Sequence, residues 1–294
     1  MGGRRGAMSS WPAVRMAQIH PTAIVDRRAE LADDVTVGAY SIIKAGVTIG
    51  AGTAVLESCH IHGNTTIGRK CRIGPAAFVG LPPQHTRFDG ANTRAVIGDE
   101  VVIREAASIH RSINPDPGHE TRVGNRCYLM NSAHVGHDCV VAEDVMLAQG
   151  SMLGGHCVVG IRVFLGGNVS IHQFVRIGRL AIIGGGEAIS HDIPPFAAVR
   201  YGGLKGYNAI GCKRAGMSGP TIHAVRSAYH CIHVNRTLPA AVAAIRASVP
   251  MLPEVQELLE FMRETKRGVL GSVRGAGIAR MGLGNFMGQD AGGG

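Results

Sequence analysis

Branched aliphatic residues recur at every sixth position over most of the chain, in three stretches: 19–79, 97–109 and 123–189. A period of six matches neither the period of an α-helix nor the alternation of an amphipathic strand. The positions in phase are Ile19, Val25, Leu31, Val37, Ile43, Ile49, Val55, Ile61, Ile67, Ile73, Val79, Ile97, Ile103, Ile109, Val123, Leu129, Val135, Val141, Leu147, Leu153, Val159, Leu165, Ile171, Ile177, Ile183 and Ile189.

A six-residue repeat fits a short strand followed by a tight turn, with one aliphatic side chain per repeat directed inward. Three repeats close a triangular coil of 18 residues, and stacked coils bury a continuous aliphatic column. Glycine often follows the aliphatic residue, as at Gly38, Gly50 and Gly68, and adopts turn dihedrals that a Cβ makes costly. The pattern predicts a left-handed parallel β-helix, an exception to the usual right-handed crossover.

Two segments interrupt the period, 80–96 and 110–122. The first leaves the phase intact, which allows a whole coil that bulges outward. The second shifts the phase and therefore requires an inserted loop. Because loops that leave a rigid scaffold often carry function, both segments are candidates for a site.

Helical signals begin after the repeat ends at the segment Asp192–Pro195. Ser218 is a candidate N-cap, and Thr237 and Pro253 open two further helical patterns. We therefore predict a mainly β fold, in which a left-handed parallel β-helix of hexapeptide repeats precedes a small helical domain. The predicted divisions are a disordered N-terminal extension at 1–16, the β-helix at 17–195 with external loops near 80–96 and 110–122, the helical domain at 196–270 and a disordered tail at 271–294.

Composition narrows the function without identifying it. The net charge of +9 allows an acidic partner or a phosphorylated substrate, but no Lys/Arg run carries the interleaved aromatics typical of nucleic-acid binding. The seven cysteines form no CxxC, which favours buried thiols in a reducing compartment over disulfides or a zinc site. Without an apolar stretch of about 18 residues or a secretory signal, the predicted location is the cytoplasm.

Histidines gather on one face of the predicted β-helix. The repeats that begin at 135, 153 and 171 are one coil apart, and they carry His137, His156 and His172, with His134 just before the first. An imidazole beside a hydroxyl suits a general base, whereas three neutral imidazoles around one ion suit zinc. The repeat leaves both possibilities open.

Several motifs resemble the UDP-N-acetylglucosamine O-acyltransferase family. They are Ile19–Val25, Ile103–Arg111, Asn131–Cys139, Gly154–His156, Ile171–Phe174, Asp192–Pro195, Gly211–Arg214 and Lys266–Gly268. The resemblance implies a homotrimer that transfers a 3-hydroxyacyl chain from acyl carrier protein to the sugar 3-position of UDP-N-acetylglucosamine, the first step of lipid A biosynthesis. It implies no metal and no resident cofactor, because the donor carries its own 4'-phosphopantetheine.

The resemblance also assigns roles to individual residues. His137 matches the general base, Asp138 its orienting carboxylate, and Gly155 the backbone N–H that stabilises the oxyanion. Gly185 matches a position that gauges acyl length, where the missing side chain leaves room for a longer chain. The substrate-binding positions that match are Gln84, Arg87, His134, His156, His172, Gln173, Gly185, Asn208 and Arg214.

Four positions depart from the family pattern near the acceptor. His85 and Arg87 stand where Asp and Lys are common, Ile210 where Glu is common, and Ala215 where a second Arg is common. Arg keeps the charge of Lys but presents a planar fork in place of a point charge. A 3-amino sugar acceptor, which would give an amide, therefore stays open.

Three other functions share this fold. The related N-acyltransferase carries a preceding nucleotide-binding domain, for which a repeat that begins at Ile19 leaves no room. A hexapeptide carbonic anhydrase would bind zinc through histidines at a trimer interface. A scaffold without catalytic activity would keep the prism alone.

Overall fold

The aliphatic residues of the repeat point into the interior of a three-sided prism. The structure is a computed structural model, and it describes residues 17–235 and 237–271. Each repeat forms a strand of two to four residues, and three repeats complete one coil of a left-handed parallel β-helix. The predicted extension at 1–16 and all but the first residue of the predicted tail at 271–294 lie outside the described residues.

The strands of the prism form three parallel sheets, one for each side. Sheet A contains β1 (Gln18–Ile19), β4 (Thr36–Val37), β7 (Ala54–Val55), β10 (Arg72–Ile73), β13 (Val102–Ile103), β16 (Tyr128–Leu129), β19 (Met146–Leu147), β22 (Phe164–Leu165), β25 (Ile182–Ile183), β27 (Ala197–Arg200) and β28 (Gly203–Tyr207). Sheet B contains β2 (Ile24–Val25), β5 (Ile42–Ile43), β8 (His60–Ile61), β11 (Phe78–Leu81), β14 (Ser108–His110), β17 (His134–Val135), β20 (Met152–Leu153), β23 (Ser170–Ile171) and β26 (Ala188–Ile189). Sheet C contains β3 (Glu30–Leu31), β6 (Thr48–Ile49), β9 (Asn64–Ile67), β12 (Arg94–Ile97), β15 (Thr121–Val123), β18 (Val140–Val141), β21 (Val158–Val159) and β24 (Arg176–Ile177).

The core is the aliphatic column that the period predicts. Ile43, Ile61 and Leu153 are completely buried, as are most residues in phase with them. A second inward position, two residues earlier in the repeat, holds small side chains such as Ser41 and Cys59. All seven cysteines are buried free thiols, which confirms their prediction as small core residues.

Both interruptions of the repeat leave the prism at the same corner. The loop 82–93 connects β11 of sheet B to β12 of sheet C, and the loop 111–120 connects β14 to β15 in the next coil. The segment 80–96 is not a coil that bulges outward, because Ile97 pairs with Ile67 of sheet C and not with sheet B. The loop adds twelve residues to one corner, and the phase survives because twelve is two repeats.

The predicted helical domain at 196–270 begins with two strands, which the sequence did not predict. β27 continues sheet A beside β25, and β28 returns antiparallel to it. Four helices follow: α1 (Ala209–Arg214), α2 (Gly219–Val234), α3 (Leu238–Ser248) and α4 (Pro253–Arg263). Ser218 caps α2 as predicted, and Thr237, predicted to open a helical pattern, caps α3. No helix among residues 17–235 and 237–271 is long and apolar enough to cross a membrane.

Candidate active site

The corner between sheets B and C places three consecutive coils above one another. Its residues, called here the B–C corner, are 136–138, 154–156 and 172–174. The third residue of each has a left-handed backbone, with φ of +58° at Asp138, +61° at His156 and +66° at Phe174. Because parallel strands are about 4.8 Å apart, residues 18 or 19 apart at this corner can touch.

His137 and Asp138 form a buried pair at this corner. The Nδ1 atom of His137 lies 2.7 Å from Oδ2 of Asp138, and both side chains are about nine-tenths buried. The loop 111–120 adds a hydrogen bond from the Ile113 N–H to the same oxygen at 3.1 Å. Burial acts to raise the pKa of Asp138, but these two hydrogen bonds and the nearby His156 outweigh it and lower the pKa. Asp138 is therefore a fixed anion beside the imidazole.

Two further imidazoles surround His137. The ring of His156 meets it edge-on with centroids 5.0 Å apart, and the ring of His85 does so at 5.4 Å. Phe174, in the next coil, stacks flat on His156 at 4.5 Å. Burial lowers the pKa of His156 and outweighs the nearby charge of Asp138, which acts to raise it. His85 of the loop 82–93 thus completes a cluster of three imidazoles at the B–C corner.

Gly155 lies directly against the ring of His137. A Cβ at Gly155 would come within 2.6 Å of the ring Cε1 and 2.7 Å of Nε2. The backbone N–H of Gly155 donates to no acceptor among the described residues, although the Gly155 carbonyl accepts from Phe174 N–H at 2.9 Å. A donor is therefore available beside the imidazole.

His134 lies three residues before His137, on the outer face of sheet B. Its Nδ1 is 2.8 Å from the hydroxyl of Ser108, and the ring of His110 meets it edge-on at 5.0 Å. Burial, and then the charge of His137, lower the pKa of His134. Burial, followed by His134 and His137, lowers the pKa of His110 to about 4. Both rings are therefore neutral near pH 7.

The buried His110 predicts a pH-dependent stability. The pKa of His110 is about 4 in the folded chain, against an ordinary value of 6.5. Above pH 6.5 the ring is neutral in both states, so protonation costs the fold no stability. As the pH falls from 6.5 towards 4, the unfolded chain binds a proton that the folded chain does not, and the folded chain loses stability. Between pH 7 and pH 5 the wild-type chain should lose roughly 2 kcal/mol more unfolding free energy than H110Q. Urea unfolding at both pH values measures the difference. In the control H230Q, His230 is exposed on α2, so this variant should lose as much unfolding free energy between pH 7 and pH 5 as wild type. If H110Q also lost as much as wild type, the expectation would be contradicted.

The remaining predicted residues divide between this corner and a different part of the prism. His172 is half-buried in the next coil, with its Nδ1 against the carbonyl of Gln173 at 3.1 Å. Gln84 and Arg87 are exposed on the loop 82–93. Gly185, by contrast, belongs to the corner between sheets A and B, where it is exposed.

Asn208 and Arg214 lie over the outer face of sheet A. They border a cavity of about 510 Å³ together with Phe164 and Ile182 of that sheet. Asn208 also caps α1, because its Oδ1 accepts from Gly211 N–H at 2.9 Å while its Nδ2 donates to the Leu180 carbonyl at 2.8 Å. One chain therefore holds most of the predicted residues in two separate groups, one around the B–C corner and one over sheet A, with Gly185 at the corner between sheets A and B.

Several residues of the site were not predicted from the sequence. Ser108 and His110 support His134, while Ile113 and Thr121 hold Asp138; the Asp138 N–H donates to Thr121 Oγ1 at 2.8 Å. Ser108 pairs directly with His134 in the sheet. The position of Ser108 beside His134 could have been predicted by removing the inserted loop from the sequence before aligning the repeats.

The comparisons with known proteins all lead to one family. A family model described as "Udp N-acetylglucosamine O-acyltransferase; Domain 2" matches residues 192–270. An acyl-[acyl-carrier-protein]–UDP-N-acetylglucosamine O-acyltransferase from Syntrophobacter fumaroxidans is 45% identical over 257 residues, which are 86% of this chain and 99% of the relative. A relative of the same name from Xanthomonas euvesicatoria is 44% identical over 86% of this chain and 97% of its own.

Solved structures give the same result. LpxA from Acinetobacter baumannii has a TM-score of 0.80 and 36% identity, and the match covers 86% of this chain and 99% of that one. The UDP-N-acetylglucosamine acyltransferase from Francisella novicida has a TM-score of 0.82 and 29% identity, covering 87% and 94%. The relatives share nearly their full length with this chain and are acyltransferases by name, not carbonic anhydrases. The chain belongs to the UDP-N-acetylglucosamine O-acyltransferase family.

Proposed function

We propose that the chain transfers a 3-hydroxyacyl group from acyl carrier protein to the 3-hydroxyl of UDP-N-acetylglucosamine, as the first step of lipid A biosynthesis. The observation that supports this most directly is the arrangement at the B–C corner. An imidazole held by a buried carboxylate lies against Gly155, whose N–H has no acceptor among the described residues and can bind a developing negative charge. Membership of the acyltransferase family supplies the reaction class.

In the proposed mechanism His137 is the general base. Asp138 accepts the Nδ1 proton of His137, so Nε2 is free to take the proton of the sugar hydroxyl as its oxygen attacks the thioester carbonyl. The carbonyl oxygen becomes an oxyanion, which the Gly155 N–H stabilises. Collapse of this intermediate breaks the C–S bond, and the imidazolium returns its proton to the departing pantetheine thiolate. Asp138 stabilises the imidazolium between the two steps.

The role of Asp138 is tested by D138N. The amide has a similar shape but cannot stabilise an imidazolium, so we expect kcat to fall by about 30-fold with a smaller change in KM. Steady-state acyl transfer measures the effect. Asp144 is a matched control, because it has the same left-handed corner conformation, with φ of +57°, on a corner far from His137. Equal rates for D138N and wild type would remove Asp138 from the mechanism.

We further propose that the active enzyme is a homotrimer with each site shared between neighbouring chains. The two groups of predicted residues in one chain support this, because the B–C corner and the outer face of sheet A point in different directions. Exposed apolar side chains, such as Met152 of sheet B at 47% exposure and Met146 of sheet A at 36%, are suited to contact between prisms. A second copy could bring its Arg214 to the His137 of the first.

Mixed oligomers test whether the site is shared. We expect H137A and R214E each to have little activity when expressed alone. Chains co-expressed in equal amounts should recover about a quarter of wild-type activity, because one interface in four then combines an intact His137 with an intact Arg214. The activity of the purified mixed oligomer, with its mass from light scattering, gives the result. A trimer without recovery would place each site within a single chain.

The proposal includes the partners and conditions of the reaction. Acyl carrier protein brings its own 4'-phosphopantetheine, so no resident cofactor is required, and the exposed Arg214 suits either its acidic surface or the substrate diphosphate. Seven free cysteines are typical of a reducing compartment, which supports the cytoplasm.

Mass spectrometry of the products tests the function. The chain is supplied with UDP-N-acetylglucosamine and a mixture of 3-hydroxyacyl carrier proteins, and we expect one ester product at the sugar 3-position. A preference for longer acyl chains would agree with Gly185 as the gauge. Because His85 lies beside His137, the same assay includes the 3-amino sugar nucleotide. Faster formation of an amide from that sugar would overturn the hydroxyl acceptor, and absence of any acyl product would overturn the proposed function.

A further inference from the structure

The buried pair at the B–C corner belongs to a group of three potential metal ligands. His137, Asp138 and His156 each offer one donor atom within 4.8 Å of the other two. Oδ2 of Asp138 is the central atom, 2.7 Å from His137 Nδ1 and 3.9 Å from His156 Nε2. The mechanism above uses the first of these contacts and leaves the second without a role.

These distances suit a small divalent cation. Zinc binds imidazole nitrogen and carboxylate oxygen at about 2.0–2.2 Å, so ligand atoms around a tetrahedral ion are roughly 3.3 Å apart. One observed separation is shorter than this value and the other is longer, so the two bracket the spacing of a tetrahedral site. Two imidazoles and one carboxylate also form a donor set that zinc uses in proteins with a fourth, open position.

Asp138 provides a second, independent indication. Its side chain is 8% exposed, and its other oxygen, Oδ1, is buried without a hydrogen-bond partner among the described residues. A buried carboxylate oxygen without a donor is rare and costly, whereas a cation beside the group compensates its charge. The site is also reachable, because the side chain of His156 is 35% exposed.

We propose that His137, Asp138 and His156 form a binding site for a zinc-type divalent cation, and that a cation bound there inhibits the enzyme. The binding stands on geometry alone, while the inhibition rests on the acyl transfer proposed above. The site is distinct from a catalytic zinc centre, because the cation takes the position that orients the general base.

Inhibition follows from the tautomer of His137. A cation at Nδ1 displaces the proton that Asp138 accepts, and the neutral ring then carries its proton at Nε2. An Nε2 that already holds a proton cannot take one from the sugar hydroxyl. The cation also neutralises Asp138, which no longer stabilises an imidazolium.

Direct binding tests the site without reference to catalysis. Full-length chain without an affinity tag competes with a chromophoric chelator for Zn²⁺, and we expect one tight equivalent per chain. D138N and H156Q should each bind that equivalent at least about tenfold more weakly. H230Q, whose imidazole is exposed on α2, should bind like wild type. Circular dichroism melting confirms that each variant is folded. Unchanged affinity in both D138N and H156Q would overturn the site.

The second arm measures acyl transfer with and without Zn²⁺. We expect Zn²⁺ to abolish most of the wild-type activity over the range in which it binds, and a chelator to restore it. The concentration for half-inhibition should rise at least about tenfold in H156Q, whatever its own basal rate. Tight binding without inhibition would overturn the inhibitory half. A chain that binds Zn²⁺ as expected but transfers no acyl group under any condition would instead contradict the proposed function.

Discussion

Replacement of His137 by alanine should lower kcat/KM for acyl transfer by about a thousandfold while the protein stays folded. The imidazole is the group positioned to remove a proton, and a well-placed general base contributes about 10²- to 10⁴-fold to a rate. Its loss removes the base but leaves the Gly155 N–H and the substrate contacts, so some activity above the uncatalysed rate should persist. Steady-state kinetics with acyl carrier protein donor and UDP-N-acetylglucosamine measures the change.

The pH dependence of the residual activity separates a base from a structural role. Hydroxide can replace the missing imidazole, so the rate of H137A should rise continuously with pH, whereas the wild-type rate should level off. H230A is the control, because His230 is an exposed histidine on α2 outside the site. An H137A rate within about threefold of wild type would exclude His137 as the base.

The fold was largely predictable because the repeat is local. One inward aliphatic residue per hexad, such as Ile61 or Leu153, determines a strand and its burial without reference to distant residues. The ambiguity at 80–96 has a simple origin: an insertion of two full repeats preserves the phase, so periodicity cannot distinguish an added coil from an added loop. Only the pairing of Ile97 with sheet C does so.

The candidate site was predicted less completely, because its geometry depends on corners and insertions. Histidines one coil apart were expected on one wall, and His137 and His156 do touch. The sequence does not reveal that Asp138 and His156 share a left-handed corner conformation. It also does not reveal that the loop 111–120 returns the Ile113 N–H to Asp138. The contact between Ile113 and Asp138 depends on the length and path of this inserted loop, which the six-residue period does not describe.

The substitution G155A should lower kcat by roughly a few hundredfold, because it displaces the ring of His137. A methyl group at this position would overlap the ring Cε1 at 2.6 Å and Nε2 at 2.7 Å, closer than unbonded carbon atoms approach. The ring must then rotate away from Asp138 and from the acceptor hydroxyl. Alanine is compatible with the backbone, because Gly155 has no left-handed φ. Thermal unfolding should therefore change little while the rate falls.

G167A is the matched control for this effect. Gly167 occupies the equivalent position of its own repeat, but a Cβ there would meet only the Gln149 carbonyl at 3.5 Å, an ordinary contact. Its rate should stay near wild type.

Combining G155A with H137A then distinguishes two explanations for the slower rate of G155A. If the methyl group acts by moving the imidazole, the double variant should be hardly slower than H137A alone. If it acts by disturbing the N–H donor, the two losses should multiply, which would contradict displacement of His137 as the cause.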